Sequence, residues 1–345
     1  MNPRISVAMA TFNGERHIQE QLDSLARQTL LPYELIVTDD RSTDATCQIV
    51  LDFAQRSPFP VHLYINETKL GFSDNFLRAA SLCKGDWIAF CDQDDVWMPQ
   101  KLERIQQAIK RYQGTDLVMV GHTSLLSNEE LELTGQRLPD YPKNRLVKRA
   151  SNYGFFCIVG FSMVCHAKLI RDFDLRLRPR VYREADWTPP GHDQWLGMLA
   201  NAVGDIACVS EPLAVWRRHK NSLTRPPGPK NIMDEIIIAK AALLPDPFFL
   251  LGDMANESGD SLRNIAGTIR NPRITKRLMG ASDLFYRLAK NLYGRGQLYS
   301  RQRRSEKILA LATLLKDNAY LGPKFCSLGW KSFAKDVAFA VGIIG

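Results

Sequence analysis

The first third of the chain alternates between short apolar runs and longer stretches in which apolar residues are spaced as on a helix. Four runs predict β-strands: Ile5–Ala10, Glu34–Thr38, Val61–Ile65 and Trp87–Cys91. Each is followed by a helical stretch, of which Ile18, Leu22 and Leu25 are one example. Strands that alternate with helices in this way predict a doubly wound, mostly parallel α/β sheet.

The pattern changes towards the C-terminus. Runs at Leu117–Val120 and Phe155–Val164 predict two more strands. Further on, helical spacing dominates, with three candidate helices marked by these apolar sets: Ile236, Ile237 and Leu243; Leu284, Leu288 and Leu292; Ile308, Leu311 and Leu315. Three prolines in the segment Arg225–Pro229 break any regular element. We therefore expect one domain at residues 1–225 and a mainly helical region at residues 226–345.

Charge divides the chain at the same place. Residues 226–345 carry 18 Lys and Arg against 10 Asp and Glu, whereas residues 1–225 carry 27 of each. The whole excess of positive charge, +8, therefore lies in the helical region.

The seven cysteines show no CxxC or other short paired spacing, which argues against a disulfide framework or a zinc site. No signal-peptide pattern opens the sequence. No apolar run reaches the roughly 18 residues of a membrane span. We therefore expect a cytoplasmic protein.

Acidic and polar residues follow three of the predicted strands. Thr11 and Asn13 follow the first, Asp39 and Asp40 the second, and three carboxylates within Asp92–Asp95 the fourth. The carboxyl ends of parallel strands meet at one edge of a sheet, where ligands bind in open α/β proteins. Like charges so close together repel unless a cation lies between them, and Asp oxygens suit Mg²⁺ or Mn²⁺. The sequence therefore predicts a metal site that holds a phosphate-bearing ligand.

Two common phosphate-binding patterns are absent from the sequence. The turn Ala10–Glu15 contains one glycine where a dinucleotide-binding turn has three, and no GxxxxGK[ST] loop is present. A negative sheet edge needs a divalent cation to bridge carboxylate and phosphate.

Seven short motifs occur in a distinctive order and spacing. They are Ala10-Thr11-Phe12-Asn13, Asp39-Asp40-Arg41-Ser42, Lys84-Gly85-Asp86, Asp92-Gln93-Asp94-Asp95-Val96-Trp97 with Lys101-Leu102, Gly160-Phe161-Ser162, Gly191-His192-Asp193-Gln194-Trp195 and Arg217-Arg218-His219. Together they resemble the family 2 inverting glycosyltransferases of the GT-A fold. The similarity covers about residues 3–224. The motifs most resemble those of bacterial rhamnosyltransferase-like members, which build surface polysaccharides such as O-antigen.

The resemblance implies a role for each matching residue. The implied nucleotide-sugar contacts are Thr11, Phe12, Asn13, Asp40, Asp92 and Arg218. The implied metal ligands are Asp94, Asp95 and His219. Arg217 would help Arg218 to offset phosphate charge. Asp193 would be the general base that deprotonates an acceptor hydroxyl as it attacks the anomeric carbon, which inverts the configuration.

The resemblance also implies the ligands. The donor would be a dTDP- or UDP-sugar, the cofactor Mg²⁺ or Mn²⁺, and the acceptor a saccharide or an undecaprenyl-linked saccharide. Such an acceptor would place the protein at the inner face of the cell membrane.

Some of these residues also fit ordinary structural roles. Asp40 and Asp44 fit turns or helix starts, and Ser42 fits an N-cap. Asp193 fits both a base and a helix cap, and His219 fits a solvated surface residue as well as a ligand. The sequence leaves these alternatives open.

The last predicted helix carries an apolar stripe with a basic border. Trp330, Phe333, Val337, Val341 and Ile344 recur at helical spacing, with lysines and an aspartate on the other face. Such a helix is typical of a membrane interface, and the positive charge of the region would attract anionic lipid. Packing of the stripe against the protein itself is the alternative. No pattern for nucleic-acid binding is present in the sequence.

Two other functions fit parts of the pattern. A nucleotidyltransferase that makes an activated sugar also uses an α/β sheet and a metal, but its glycine- and basic-rich N-terminal signature is missing. A non-catalytic scaffold with this fold is disfavoured by the acids at Asp92, Asp94 and Asp193. Metal-dependent, inverting sugar transfer is therefore the leading hypothesis.

Overall fold

The structure is a computed structural model and describes residues 2–183, 186–220 and 246–344. In this part of the chain, a sheet unit comprises residues 2–149, 157–174 and 191–220. A helical unit comprises residues 150–156, 175–183, 186–190 and 246–344. The prolines of Arg225–Pro229 and the predicted helix with Ile236, Ile237 and Leu243 lie outside the described residues.

The strands of the described residues are β1 (Ile5–Thr11), β2 (Glu34–Asp39), β3 (Val61–Ile65), β4 (Trp87–Cys91), β5 (Val96–Trp97), β6 (Leu117–Ser127), β7 (Leu133–Arg137), β8 (Arg145–Val147), β9 (Met163–His166), β10 (Val181–Arg183), β11 (Asp186–Thr188) and β12 (Asp205–Arg217). Their helices are α1 (Ile18–Ala26), α2 (Thr46–Arg56), α3 (Phe72–Leu82), α4 (Lys101–Arg111), α5 (Lys168–Arg171), α6 (His192–Val203), α7 (Asp246–Thr268), α8 (Pro272–Ser300), α9 (Arg304–Lys316) and α10 (Gly329–Ala340). Elements β10, β11 and α7 to α10 belong to the helical unit, and the others belong to the sheet unit.

The central sheet has the strand order β3-β2-β1-β4-β9-β6-β12-β5. Neighbours among β1 to β4 pair in parallel, as do β6 and β12, whereas β9 is antiparallel to both β4 and β6. This topology confirms the predicted mostly parallel α/β sheet. It also places the carboxyl ends of β2, β1 and β4 side by side at one edge.

Strands β1, β2 and β4 are buried along their whole length. Burial of both faces explains why each one is a continuous apolar run in the sequence, since a strand with one wet face would alternate. Helices α1 and α2 add fully buried side chains to this core, among them Leu22 and Phe53. Each such side chain contributes about 1.5–3 kcal/mol of hydrophobic stabilisation.

Two local predictions are wrong. Most of Phe155–Val164 is not a strand: the chain makes a 3₁₀ turn at Gly160–Ser162 before β9 begins. A Cβ atom at Gly160 would lie 2.7 Å from Nε2 of His192, so this close approach requires glycine. Ser42 does not cap α2, because the Thr46 N–H donates instead to Asp44, at 3.0 Å.

Helices α7 and α8 pack as an antiparallel pair through two matching contacts. A Cβ atom at Gly252 would lie 2.6 Å from the ring of Tyr293, and one at Gly259 would lie 3.0 Å from the ring of Tyr286. The contacts run in opposite directions along the two helices, seven residues apart in each. Glycine at both positions therefore lets a tyrosine ring lie directly against the backbone of α7.

Helix α10 does not have the predicted orientation. Asp336, expected on the wet face, is 0% exposed, whereas Trp330 of the apolar stripe is 70% exposed. Asp336 Oδ1 accepts hydrogen bonds from Arg295 (Nε at 3.0 Å, Nη2 at 2.8 Å) and from the Tyr299 hydroxyl at 2.5 Å. Its Oδ2 accepts from the Tyr320 hydroxyl at 2.7 Å. In the described part of the chain, no helix is both long and apolar enough to cross a bilayer.

Candidate active site

Hydrogen bonds join the three strand ends that the sequence predicted to meet. Thr11, at the end of β1, donates from its hydroxyl to Asp39, at the end of β2, at 2.7 Å. The Gln93 side chain accepts from the N–H of Phe12 and donates to its carbonyl, both at 3.0 Å. We call residues 92–95, which follow β4, the acid loop. The acid loop is therefore fixed to the end of β1.

Two predicted nucleoside contacts hold loops in place at this edge. The Asn13 side chain accepts the N–H of Thr43 at 2.9 Å. Asp40 accepts the N–H groups of Leu70 at 2.7 Å and Gly71 at 2.9 Å, besides the side-chain amide of Asn66. Burial alone would raise the pKa of Asp40, but these hydrogen bonds outweigh it and the pKa is lowered. Asp40 is therefore ionised and shapes the loop that follows β3.

Burial and like charges oppose the ionisation of Asp92 and Asp95 in the acid loop. Burial raises the pKa of Asp92, and the charges of Asp94 and Asp193 raise it further. Burial also raises the pKa of Asp95 well above its usual value, with added repulsion from Asp94 and Asp92. A cation at this edge would relieve this repulsion, so the electrostatics of the acid loop fit a metal site.

The structure brings together two of the three predicted metal ligands. Oδ2 of Asp94 lies 2.7 Å from Nε2 of His219. Asp95 is fully buried; its Oδ1 accepts the backbone N–H of Arg217 at 3.0 Å, whereas its buried Oδ2 has no hydrogen-bond partner in the ranges that the structure describes. Among the described residues, no three His, Cys, Asp or Glu side chains are arranged to hold a metal ion. Two protein ligands are still enough for Mg²⁺, which usually keeps waters and substrate phosphate oxygens.

Phe12 is exposed at the surface, whereas the guanidinium of Arg218 lies over an aromatic ring. Phe12 is 40% exposed, and the ammonium group of Lys69 lies 3.5 Å from the centre of its ring. The guanidinium of Arg218 lies 4.6 Å from the centre of the Trp216 ring. Burial lowers the pKa of Arg218, and the charges of Asp94 and Asp95 act in the opposite direction. Those charges show that Arg218 lies within electrostatic range of the acid loop.

Asp193 occupies the first turn of α6. Its Oδ1 accepts the N–H of Gln194 at 2.8 Å, and its charge acts on Asp92. The ring of the preceding His192 packs between aromatic residues, with its centre 4.3 Å from that of Phe76 and 5.1 Å from that of Phe90. This packing fixes the start of α6, so Asp193 is held near the acid loop as the sequence predicted.

The sequence gives no role for Lys101, which belongs to the motif that starts at Asp92, and it does not place His17 in this region. Lys101 is fully buried, donates to the carbonyl of Phe161 at 2.9 Å and lies 3.5 Å from the centre of the Trp97 ring. Burial lowers the pKa of Lys101 to about 7, against the pull of nearby carboxylates. The ring of His17 lies 5.1 Å from that of His219. No local signal marks His17 or reveals the burial of Lys101, because their partners Phe161 and His219 are distant in the sequence.

A cavity of about 620 Å³ lies in the helical unit. Polar side chains of its lining pair with charged neighbours: Tyr293 donates to Asp253, and Lys290 forms an ion pair with Asp317. The clustered acids of the sheet unit are the stronger indication of chemistry, and we place the candidate site there.

The fold is an open α/β sheet, a class of proteins that bind ligands at the carboxyl ends of the parallel strands, where the acid loop lies. Residues 6–173 match the sequence profile of glycosyl transferase family 2. The chain is therefore similar to this family of transferases over those residues, and its sheet unit has the predicted GT-A fold.

Individual relatives match less than the whole chain. A protein of Mycobacterium tuberculosis is 29% identical over 231 residues, which cover 64% of this chain and 60% of that protein. WfgD of Escherichia coli, a UDP-Glc:alpha-D-GlcNAc-diphosphoundecaprenol beta-1,3-glucosyltransferase, is 28% identical over 205 residues, 59% of this chain and 73% of WfgD. The match thus spans about three fifths of the length of the mycobacterial relative.

One solved structure with a similar fold is residues 1–349 of TarS from S. aureus in complex with UDP-GlcNAc. The TM-score is 0.53 at 17% identity, over 91% of this chain and 81% of that chain. At this level of identity the likeness concerns the fold.

Proposed function

We propose that this protein transfers a sugar, with inversion, from a nucleoside-diphosphate donor to a saccharide or lipid-linked saccharide acceptor in bacterial surface polysaccharide synthesis. The observation that carries the proposal is the acid loop, where Asp94 pairs with His219 and Asp193 lies within electrostatic range. The match of residues 6–173 to glycosyl transferase family 2 supports the reaction class.

The donor would be a UDP- or dTDP-sugar that binds across the ends of β1, β2 and β4. The exposed ring of Phe12 offers a face for stacking, and Asp40 retains a carboxylate lone pair that can accept the imide N–H of a pyrimidine. Asp92 would contact the ribose and Arg218 the diphosphate. The similar fold of TarS, solved in complex with UDP-GlcNAc, supports a sugar nucleotide as the donor. We propose rhamnose-like sugars as the first donors to test.

The cofactor would be Mg²⁺ or Mn²⁺, bound by Asp94 and His219. When bound, the metal would supply positive charge that stabilises the departing nucleoside diphosphate. Asp94 and His219 already lie at hydrogen-bond distance, so both can reach one ion without a large rearrangement. Asp95 would support these ligands indirectly, because its Oδ1 accepts the backbone N–H of Arg217.

Asp193 would take the proton of the acceptor hydroxyl. Its side chain is held at the first turn of α6, where its Oδ1 accepts the N–H of Gln194 at 2.8 Å. An ionised carboxylate can accept the proton while the acceptor oxygen attacks the anomeric carbon from the face opposite the leaving group. This single displacement inverts the configuration.

The acceptor would be carried on a lipid at the inner face of the membrane. The acceptor named for WfgD, an undecaprenol diphosphate with GlcNAc, supports this class of acceptor. Exposed Trp330 and Leu321 in the basic helical unit provide apolar groups that can enter a lipid interface, and the lysines around them suit anionic lipid. We therefore propose a peripheral association through the helical unit.

Thermal unfolding with a panel of UDP- and dTDP-sugars, with and without Mn²⁺, tests the proposal. A donor present at 100 times its Kd stabilises the folded state by about 2.7 kcal/mol. We expect one or more sugar nucleotides to raise the Tm only in the presence of Mn²⁺. If none does, and a nucleoside triphosphate with a sugar phosphate releases pyrophosphate instead, the protein is a nucleotidyltransferase and the proposal is wrong.

A further inference from the structure

Arg217, the last residue of β12, has a side chain that is only 4% exposed. We propose that Arg217 is a positioning residue that holds Asp94 and His219 in the geometry needed for the metal and the donor diphosphate. This inference rests on the function proposed above. It differs from the role in phosphate binding that the sequence suggested for Arg217, since a buried guanidinium that is already paired cannot also contact a donor.

Two hydrogen bonds connect Arg217 to the acid loop. Its backbone N–H donates to Oδ1 of Asp95 at 3.0 Å, and its Nε donates to the carbonyl of Asp94 at 2.9 Å. Arg217 therefore holds the acid loop on both sides of the peptide bond that follows Asp94. His219 lies two residues after Arg217, the last residue of β12. Arg217 therefore also fixes the position from which the chain runs to His219.

The rest of the guanidinium reaches two other segments. Nη1 donates to the carbonyl of Glu129 at 2.8 Å and lies 3.2 Å from Nδ1 of His17, and Nη2 forms an ion pair with Glu20. His17 in turn packs against His219, with 5.1 Å between ring centres. Arg217 thus supports Asp94 through the backbone and His219 through the ring of His17.

Only arginine can make these contacts from one position. The guanidinium is planar and presents five N–H groups in a fixed fork, whereas the lysine ammonium is a point charge on a flexible stem. Lysine would keep the positive charge opposite Glu20 but could not reach Asp94, Glu129 and His17 together. Residues that support metal ligands in this way typically change metal affinity by about 10- to 100-fold when they are replaced.

The test is a double-mutant cycle between Arg217→Lys and His219→Ala, with UDP plus Mn²⁺ as the probe. Calorimetric Kd values are measured for wild type, both single variants and the double variant. We expect Arg217→Lys to weaken Mn²⁺-dependent UDP binding by about tenfold, and by less than about threefold when His219 is already absent. Equal effects in both backgrounds, or no effect in either, would overturn the inference.

Arg16→Lys is the matched control. Arg16 forms an ion pair with Glu129, whose carbonyl accepts a hydrogen bond from Arg217, but the Arg16 side chain is 70% exposed. We expect Arg16→Lys to bind UDP and Mn²⁺ within about twofold of wild type, because exposed ion pairs contribute ~0–1 kcal/mol. An effect as large as that of Arg217→Lys would show a general charge effect and would also overturn the inference.

Folding is checked separately by thermal unfolding without ligand. If Arg217→Lys does not fold, Glu20→Gln replaces it in the cycle, since this change weakens the Nη2 contact and leaves the backbone bonds intact. It must show the same dependence on His219, at a smaller size. A wild-type protein that binds no UDP with Mn²⁺ would instead remove the proposed function on which the inference depends.

Discussion

Both units of this protein contain buried carboxylates, but the groups that surround these carboxylates differ between the units. In the helical unit, Asp336 is fully buried and accepts four hydrogen bonds, two of them from Arg295. In the sheet unit, the acid loop holds three carboxylates, and burial together with their mutual repulsion raises the pKa values of Asp92 and Asp95. The first arrangement is complete within the protein and stabilises the fold. Under the proposed function, a cation and a donor would complete the second arrangement, and this would distinguish a binding site from a structural cluster.

Loss of the Asp193 carboxylate has the largest expected effect, which is a loss of activity. We expect Asp193→Asn to reduce sugar transfer by about 10²–10⁴-fold, because a general base contributes that much. The variant should still bind donor, since only the base is changed. Transfer is measured with the donor found by the thermal panel, and donor binding by calorimetry. Near-normal transfer by Asp193→Asn would reject the assignment of the base.

Loss of the structural carboxylate falls on stability instead. Asp336→Asn leaves the buried Arg295 guanidinium without its counter-charge, so we expect a loss of about 3–5 kcal/mol in the free energy of unfolding. Asp94→Asn is the matched change in the acid loop, and it removes repulsion. We expect it to leave stability unchanged or to raise it by up to ~1 kcal/mol. Urea unfolding of both variants measures the difference, and equal destabilisation would contradict the comparison.

Close packing of α7 against α8 gives a smaller effect. We expect Gly252→Ala to cost about 1–3 kcal/mol, because the new methyl group would lie 2.6 Å from the Tyr293 ring. Gly267, also in α7, is the control, since a Cβ atom there meets nothing within 4 Å. Gly267→Ala should stabilise the protein by about 0.5–1 kcal/mol through helix propensity. The two alanine variants should therefore shift the thermal midpoint in opposite directions, and a shift of the same sign would show that α7 and α8 do not pack this closely.

The smallest expected effect is on alkaline stability. Burial and the neighbouring Asp336 raise the pKa values of Tyr299 and Tyr320. The folded protein therefore keeps these protons above pH ~10, where an unfolded tyrosine loses its proton. Stability from these groups is fully present below pH ~10 and is lost as the pH rises further. Tyr320→Phe should flatten this part of the pH–stability curve, and an unchanged slope would argue against the buried cluster.

Local patterns were sufficient to predict the first half of the fold. Strands β3 and β4 begin and end at the predicted residues, and β1 and β2 extend one residue further. The apolar runs of β1, β2 and β4 are a direct consequence of burial on both faces. The meeting of Thr11, Asp39 and the acid loop at one edge follows from parallel pairing, and the structure confirms it.

The remaining features depend on partners far away in the sequence. Asp94 and Asp95 are adjacent and chemically identical, yet one meets His219 and the other is buried against Arg217. Asp336 appears in the sequence as the polar face of an amphipathic helix, because nothing nearby reveals that Arg295 and Tyr320 surround it. The apolar run at Gly160–Ser162 forms a 3₁₀ turn and not a strand, because Gly160 packs against the ring of His192.

Calorimetric binding of UDP with and without Mn²⁺, in wild type and Asp94→Ala, is the most direct test of the acid loop as a site that a cation completes. We expect Mn²⁺ to tighten UDP binding to wild type by at least about tenfold, and to have no effect in Asp94→Ala. UDP affinity that is independent of Mn²⁺ in wild type, or a metal effect that persists without Asp94, would contradict the account.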